Sequence, residues 1–193
     1  MNIHTIILAA GAGSRMKSNK AKVLQKIGGM SMLQRVLKTT EQLNSKSTVV
    51  LGHDKEGVLK HLQNIKGSIS TVIQANQLGT ADAVKSAMPN TKSDETILVL
   101  YGDVPLVSAR SLQELIDQAA GGFSILTTYL DNPFGYGRVI TDTNNFATAI
   151  VEEKDASEDE KLVNEIFTGI LCISQELLAA GLQEITNDNA AKE

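Results

Sequence analysis

An α/β fold built on a mainly parallel sheet is what this sequence predicts, and three observations predict it. Short β-branched runs alternate with amphipathic helical stretches over the first 130 residues, and strand and helix in alternation make βαβ units whose strands run parallel. The 193 residues suit one domain with a proper core, or most of one. After Leu130 the rhythm breaks into shorter strands, which marks an added lobe.

In chain order, TIILAA at 5–10 reads as a buried strand. Residues 32–43 place Leu33, Val36, Leu37 and Leu43 close to one helical face. STVVLG, 47–52, is a second strand and KEGVLKHL, 55–62, a second helix; STVIQA, 70–75, and the helix ADAVKSAM, 81–88, repeat the unit. The strand TILVLYGD at 96–103, the helix SLQELIDQA at 111–119 and the strand FSILTTYL at 123–130 continue it. Beyond them, NPFGYGRVI and FATAIVEEK read as short antiparallel strands, the acidic DASEDEK as a solvated loop or helix start, and EIFTGILCIS as a further strand. QELLAAGLQEITNDNAAKE reads as a helix with no strand after it, as in a truncated unit. No internal repeat, low-complexity tract or Pro-rich linker interrupts the chain.

Composition narrows the function classes. An apolar fraction of 42% and a charged fraction of 21% belong to a globular chain rather than a disordered or collagenous one. The apolar run Ile6 to Ala10 is too short to span a bilayer and lacks the upstream charges of a signal peptide, so the cytoplasm is the expected compartment. Cys172 is the single cysteine; no disulfide framework or cysteine zinc site can be made within the chain, and a small buried thiol is expected.

Charge is divided unevenly. The net charge is −4, yet residues 1–40 contain no Asp or Glu and seven cations, Arg15, Lys17, Lys20, Lys22, Lys26, Arg35 and Lys38. Such a chain offers a local anion site while staying acidic as a whole. Nucleic acid is not the expected anion, because aromatics make up only 4% of the residues and no nucleic-acid-binding motif is present.

In parallel α/β sheets ligands bind outside the carboxyl ends of the strands, so the residues just after each strand carry the functional reading. Gly11 and Gly13 follow the first strand, where glycine lets the backbone approach a ligand and turn N–H groups toward anionic oxygens. Met16 occupies the third-glycine position of a dinucleotide fingerprint, and no Gly-Lys-Ser/Thr of a Walker A loop follows. A tight turn without a ligand fits the glycines equally; Arg15 favours the ligand, because a guanidinium grips phosphate oxygens bidentately. Lys22 adds a compact charge. After the third strand stand Gln74 and QLGT, 77–80: an amide with donor and acceptor suits a pyrimidine edge, and Gly79 allows close approach. A surface glutamine and a helix cap by Thr80 explain the same residues. YGDVPL, 101–106, puts Asp103 after a buried strand, where a hard cation bound to phosphate takes an oxygen ligand. In the second half, the glycines of GYGR, 135–138, suggest a backbone site for a polar ligand, and Glu152 of VEEK an acceptor for sugar hydroxyls; plain hairpin chemistry accounts for them too.

Together LAAGAGSRM, KVL, QLGTADA, LYGDVPL, GYGR and VEEKDA resemble, in order and spacing, the N-terminal domain of bacterial N-acetylglucosamine-1-phosphate uridyltransferases, over nearly the whole chain. The resemblance implies a glycosyltransferase-A-like, Rossmann-like nucleotidyltransferase fold. It implies one nucleotidyltransferase domain over 1–193, with a nucleotide-binding half, 1–130, and an incomplete sugar-binding half, 131–193. The implied reaction is UTP plus N-acetylglucosamine 1-phosphate giving UDP-N-acetylglucosamine and pyrophosphate with Mg²⁺, on the way to peptidoglycan and lipopolysaccharide precursors of the cell wall. By the same resemblance Leu8, Ala9, Ala10 and Gly11 line the nucleotide, and Gln74, Gly79 and Thr80 recognise uracil. Arg15 and Lys22 hold the triphosphate; Asp103, after Tyr101 and Gly102, binds Mg²⁺. Gly137 and Glu152, with Phe167 and Thr168, meet the sugar, and His4, His53 and His61 have no catalytic role.

Three positions depart from the family's pattern. Ala21 replaces the proline before the lysine of KVL. Asp82 replaces a common histidine, giving a GTADA spelling shared with glucose-1-phosphate adenylyltransferases. Phe167 replaces a sugar-contacting asparagine. A nucleotidyltransferase of the same fold with another base or sugar, or a nucleotide-binding module without catalysis, are the alternatives. Complete family members commonly add a later Mg²⁺-binding asparagine and a left-handed β-helix acetyltransferase domain that makes them trimers; neither is expected in this chain.

Overall fold

The computed structural model describes residues 2–11, 13, 18, 20–76 and 78–185. The first strand, β1 (Asn2–Ala9), is buried from His4 onward, as an apolar strand covered on both faces must be. A 3-10 turn, Lys22–Leu24, leads into the hairpin of β2 (Lys26–Ile27) and β3 (Met30–Ser31). Its turn residues Gly28 and Gly29 have φ of 57° and 83°, the left-handed values a two-residue hairpin loop requires. Helix α1 (Met32–Gln42) starts where the Ser31 hydroxyl accepts from the Gln34 N–H. Then follow β4 (Lys46–Leu51), α2 (Lys55–Leu62), β5 (Ile69–Ile73), α3 (Thr80–Ala87), β6 (Glu95–Tyr101) and α4 (Ala109–Ala119). The remaining elements are β7 (Phe123–Tyr129), β8 (Arg138–Thr141), β9 (Ala147–Val151), α5 (Glu158–Lys161), β10 (Glu165–Ser174) and α6 (Gln175–Glu184).

The chain divides into two compact units. The first holds Met1–Ser124 and Leu171–Ile185. Its strands run in the order β5, β4, β1, β6, then the end of β10. β1 is parallel to β4, with Ile6 opposite Thr48, and to β6, with Ile6 opposite Val99; β4 is parallel to β5. Only the last segment, Leu171 to Ser174, runs antiparallel, against β6. On one face Ile6, Leu8, Val50, Ile97 and Val99 pack with Ala83, Val84 and Ala87 of α3. The helices α1 and α4 bury Leu33, Val36, Leu112 and Ile116. Each such side chain contributes about 1.5–3 kcal/mol by leaving water. The expected mainly parallel sheet with helices is thus present.

The second unit spans Ile125–Ile170. β8 and β9 form an antiparallel hairpin with an irregularity between Ile140 and Thr141, and Arg138 of β8 sits opposite Ile166 of β10. Asp142 closes the hairpin turn by accepting from the N–H groups of Asn144 and Phe146, which hold its carboxyl below the ordinary range. The short antiparallel strands read after Leu130 are these two, although they begin later: Asn132 to Gly137 lie outside the strand, which starts at Arg138. The acidic DASEDEK becomes α5, opened by a capping box between Ser157 and Glu160. Cys172 is fully buried, and burial pushes its thiol up to about 11.

Candidate functional site

Parallel pairing brings the carboxyl ends of β1, β4 and β6 to one edge: Ala9 faces Leu51, and Leu8 faces both Val50 and Tyr101. The loops leaving these strands are tied together by backbone. Leu8 O accepts from the Gly102 N–H at 2.9 Å, Ala10 O from the His53 N–H at 3.0 Å, and Leu51 O from the Gln74 N–H at 2.8 Å. The expected nucleotide residues Leu8, Ala9, Ala10 and Gly102 therefore belong to one interlocked edge.

Gly13 of the glycine-rich stretch packs against Lys22. Gly13 has φ +59°, and a Cβ there would lie 2.8 Å from the Lys22 Cβ, so only glycine suits both the angle and the contact. Lys22 Nζ lies 2.6 Å from Asp103 Oδ2, with the side chains 41% and 25% exposed. A cation and a carboxylate expected at separate tasks are thus an ion pair joining the 3-10 turn at Lys22 to the loop after β6. Ala21 contributes to its placement: the Ala21 N–H donates to Asp54 Oδ2 at 3.1 Å, a bond that proline, lacking the N–H, cannot make. Asp54 itself caps α2 from the left-handed region, φ 52°, accepting from the Gly57 N–H. Sequence reasoning missed Asp54, although an aspartate just before a helical run is a cap signature.

Gln74, only 6% exposed, lies just past β5. Its Nε2 donates to Gly79 O at 3.1 Å and to Asp82 Oδ2 at 2.7 Å. Gly79, at φ 102°, immediately precedes α3 and makes no side-chain cap. Thr80 is the first helical residue rather than the cap, and its hydroxyl lies 3.4 Å from the Tyr101 hydroxyl. Gln74, Gly79, Thr80 and Tyr101 thus come together. Gln74 also borders an open hollow of about 630 Å³ at the ends of β4 and β5, with Gly52, His53 and Asp54. Arg15 and Gln77 lie outside the described residues.

In the second unit Gly137 is the meeting point. Its carbonyl accepts from the Phe167 N–H at 2.9 Å, and a Cβ on it would lie 3.1 Å from Glu152 Oε1. Gly137, Glu152 and Phe167 are therefore neighbours, as expected of one subsite. Thr168 belongs to the same strand, but its hydroxyl donates to Leu126 O at 2.6 Å and serves the fold. Arg138, 2% exposed, was not singled out from sequence, where an arginine opening a short strand carries no signal. It donates to Tyr136 O and, at 2.7 Å, to Glu153 Oε2. The Gly135 N–H and then the Arg138 guanidinium hold the Glu153 carboxyl below its ordinary value. Two histidines have partners in the fold: His4 is buried between Glu95 and Thr48 at the start of β1, and His61 bonds Ser31, whereas His53 lines the hollow beside Gln74.

Among the described residues no three His, Cys, Asp or Glu side chains cluster as a metal cage. Asp103 suits a different mode, in which Mg²⁺ takes one or two carboxylates and completes its shell with substrate phosphates and water. No helix among the described residues is long and apolar enough to cross a membrane.

Gly13 packed on a lysine, a carboxylate after the fourth parallel strand and, in the second unit, a separate polar cluster fit the nucleotidyltransferase class. Comparison with known proteins places it further: residues 5–188 match the MobA-like NTP transferase domain, and the chain belongs to that family. It is 44% identical to the bifunctional protein GlmU of Psychrobacter cryohalolentis over all of this chain and 43% of that protein. It is 44% identical to the GlmU of Neisseria meningitidis serogroup A, over 99% of this chain and 41% of that one. The chain thus spans about two fifths of the length of these relatives. Solved structures share the fold at low identity. One assigned as a glucose-1-phosphate thymidylyltransferase from Bacillus anthracis has a TM-score of 0.80 at 21% identity, covering 98% of this chain and 77% of that one. A UDP-glucose pyrophosphorylase with UDP-glucose has 0.75 at 16%, covering 93% and 78%. The family expected from the motifs is borne out at the level of a nucleotidyltransferase domain over nearly the whole chain.

Proposed function

We propose that this chain transfers a uridylyl group from UTP to N-acetylglucosamine 1-phosphate, releasing pyrophosphate, in the cytoplasm and toward cell-wall precursors. The observation that carries the reading is the Lys22–Asp103 pair at 2.6 Å, on the edge formed by Leu8, Ala9 and Gly102. It sets a phosphate-binding cation beside a hard oxygen donor at the ligand-binding end of a parallel sheet. The motif resemblance supplies the choice of UTP and of the N-acetyl sugar.

An oxygen of the sugar phosphate attacks the α-phosphorus of UTP in line; the new P–O bond forms as the bond to the pyrophosphate oxygen breaks. The nucleophile is already an anion, so no side chain has to remove a proton, in keeping with the structural partners of His4 and His61. The protein's work is alignment and neutralisation of charge. Lys22 and Arg15 hold the phosphates, Leu8, Ala9, Ala10, Gly11 and Gly13 line the nucleotide, and Gln74 reads the base. Gly137 and Glu152 orient the sugar. Asp103 would hold Mg²⁺, which supplies Lewis-acid neutralisation of phosphate charge when bound.

Phe167 favours a second reading. Its ring can neither donate nor accept where the resemblance calls for an asparagine, so a different sugar 1-phosphate is the alternative acceptor. The test is pyrophosphate release with Mg²⁺, each of the four nucleoside triphosphates and a panel of sugar 1-phosphates. Release with UTP and N-acetylglucosamine 1-phosphate alone supports the proposal; release with another pair supports the second reading. Nucleotide binding without release refutes both.

A further inference from the structure

Gln74 is an amide whose orientation is settled by its partners. Its Nε2 lies within hydrogen-bond distance of a backbone carbonyl, Gly79 O, and of a carboxylate, Asp82 Oδ2. Both of these only accept, so the atom facing them is the NH₂ group and both its hydrogens are used. Among the described residues no donor meets the amide's acceptor, Oε1, which is the atom left for a ligand. Gly79 offers its carbonyl at an elevated φ of 102° and also receives the Ala83 N–H at 3.2 Å; Asp82 makes the shorter bond, from the first turn of α3.

We infer that Asp82 is a positioning residue for base selection: by holding the Gln74 NH₂ it presents Oε1 to the nucleotide and selects a base edge that donates. This deepens the proposed function and rests on Gln74 meeting the base. Uracil carries a donor, N3–H, between two carbonyls. Cytosine presents a bare acceptor at N3, which would face Oε1 lone pair to lone pair. A glutamine free to rotate would turn its NH₂ toward cytosine and accept either pyrimidine, so the discrimination lies in the fixed orientation. Leaving a buried polar group facing a like group is what makes such a site selective.

The experiment measures dissociation constants for UTP and CTP with Mg²⁺ by calorimetry, for the intact chain and two variants whose melting is followed alongside. The unaltered chain is expected to bind UTP at least about tenfold tighter than CTP, one hydrogen bond's worth of discrimination. Asp82→Leu, which keeps the bulk and loses the acceptor, should bring the two constants within about threefold. Asp82→Asn, which keeps an oxygen for the Gln74 NH₂, should retain most of the preference, a rescue that a merely structural role would not produce. If Asp82→Leu folds and keeps the full preference, the inference is overturned while the proposed function stands. If the unaltered chain prefers CTP, or neither nucleotide, both fall. Should Asp82→Leu fail to fold, the Gln74 side-chain amide signals of the unaltered chain decide. Protected Nε2 hydrogens, unmoved by UTP, support the inference, and hydrogens that shift onto the base overturn it.

Discussion

Gly52 and Gly11 separate what the site's glycines do for the fold from what they do for a ligand. Gly52 follows β4, and a Cβ there would lie 2.6 Å from Ala10 O, 2.8 Å from Ala10 Cβ and 2.9 Å from Ala10 Cα. Carbon atoms pack best at about 3.5–4.0 Å, so Gly52→Ala must push the ends of β1 and β4 apart by most of an ångström. Those ends are tied by the His53 N–H bond to Ala10 O, and all three obstructing atoms belong to Ala10, two of them to its backbone. Overpacking of this kind costs about 1–3 kcal/mol. In a domain of this size about 2 kcal/mol lowers the melting midpoint by about 4–8 °C. Gly11 has nothing within 4 Å of an added Cβ, so Gly11→Ala should leave the midpoint within about 1 °C. Its methyl would instead stand where the nucleotide is proposed to approach, weakening UTP binding about tenfold. Thermal melting and calorimetric titration with UTP and Mg²⁺ read the two effects separately. A Gly52→Ala midpoint equal to the unaltered chain's, or equal midpoint losses in the two variants, would refute the reasoning.

Three more predictions concern charge and access. Arg15→Ala, which removes the guanidinium expected on the triphosphate, should cost roughly 3 kcal/mol, or about 10²- to 10³-fold in pyrophosphate release; turnover within a few fold would remove Arg15 from the mechanism. His61 has its value lowered from the ordinary 6.5, first by burial and then by Lys20 and Lys26. The unfolded chain therefore takes up this proton first, and the contribution is full above pH 6.5 and lost as pH falls through 6.5 toward the folded value. His61→Gln should flatten that stretch of a plot of urea midpoint against pH, and an unchanged slope would exclude His61 as its source. Cys172, buried with its thiol raised to about 11, should react with a thiol reagent slowly in the native protein and rapidly in urea; equal rates would contradict its burial.

The fold was legible because its signals are local. Leu33, Val36 and Leu37 at helical spacing mark α1, and the apolar run from Ile6 reads as the covered strand that β1 is. Strand ends were less legible. Tyr101 ends β6 while Gly102 and Asp103 turn away: the bond from the Gly102 N–H to Leu8 O is the last rung of the ladder with β1, and pairing across the sheet is not written in the local sequence. The candidate site was legible as residue types at strand ends. Asp103 and Gln74 were read at the ends of their strands, in ranges that ran on through 103 and 75; β6 stops at Tyr101 and β5 at Ile73, which leaves both residues in the loops.

Partners were what sequence could not reach. Lys22 and Asp103 are 81 positions apart, and each reads naturally as bound for substrate, one for phosphate and one for a cation. Their meeting follows from cost: a cation and a carboxylate that are both more than half covered are each better paired than alone, although so exposed a pair adds little stability. A pair of that kind holds both charges in place at the sheet edge without committing either irreversibly. Exchanging one ionic partner for another costs far less than baring a buried charge. Arg138 shows the opposite regime. At 2% exposure it cannot trade partners, and its bonds to Glu153 and Tyr136 serve the second unit's fold. Exposure, a property of the packed chain, is what separates a charge available to substrate from one spent on structure.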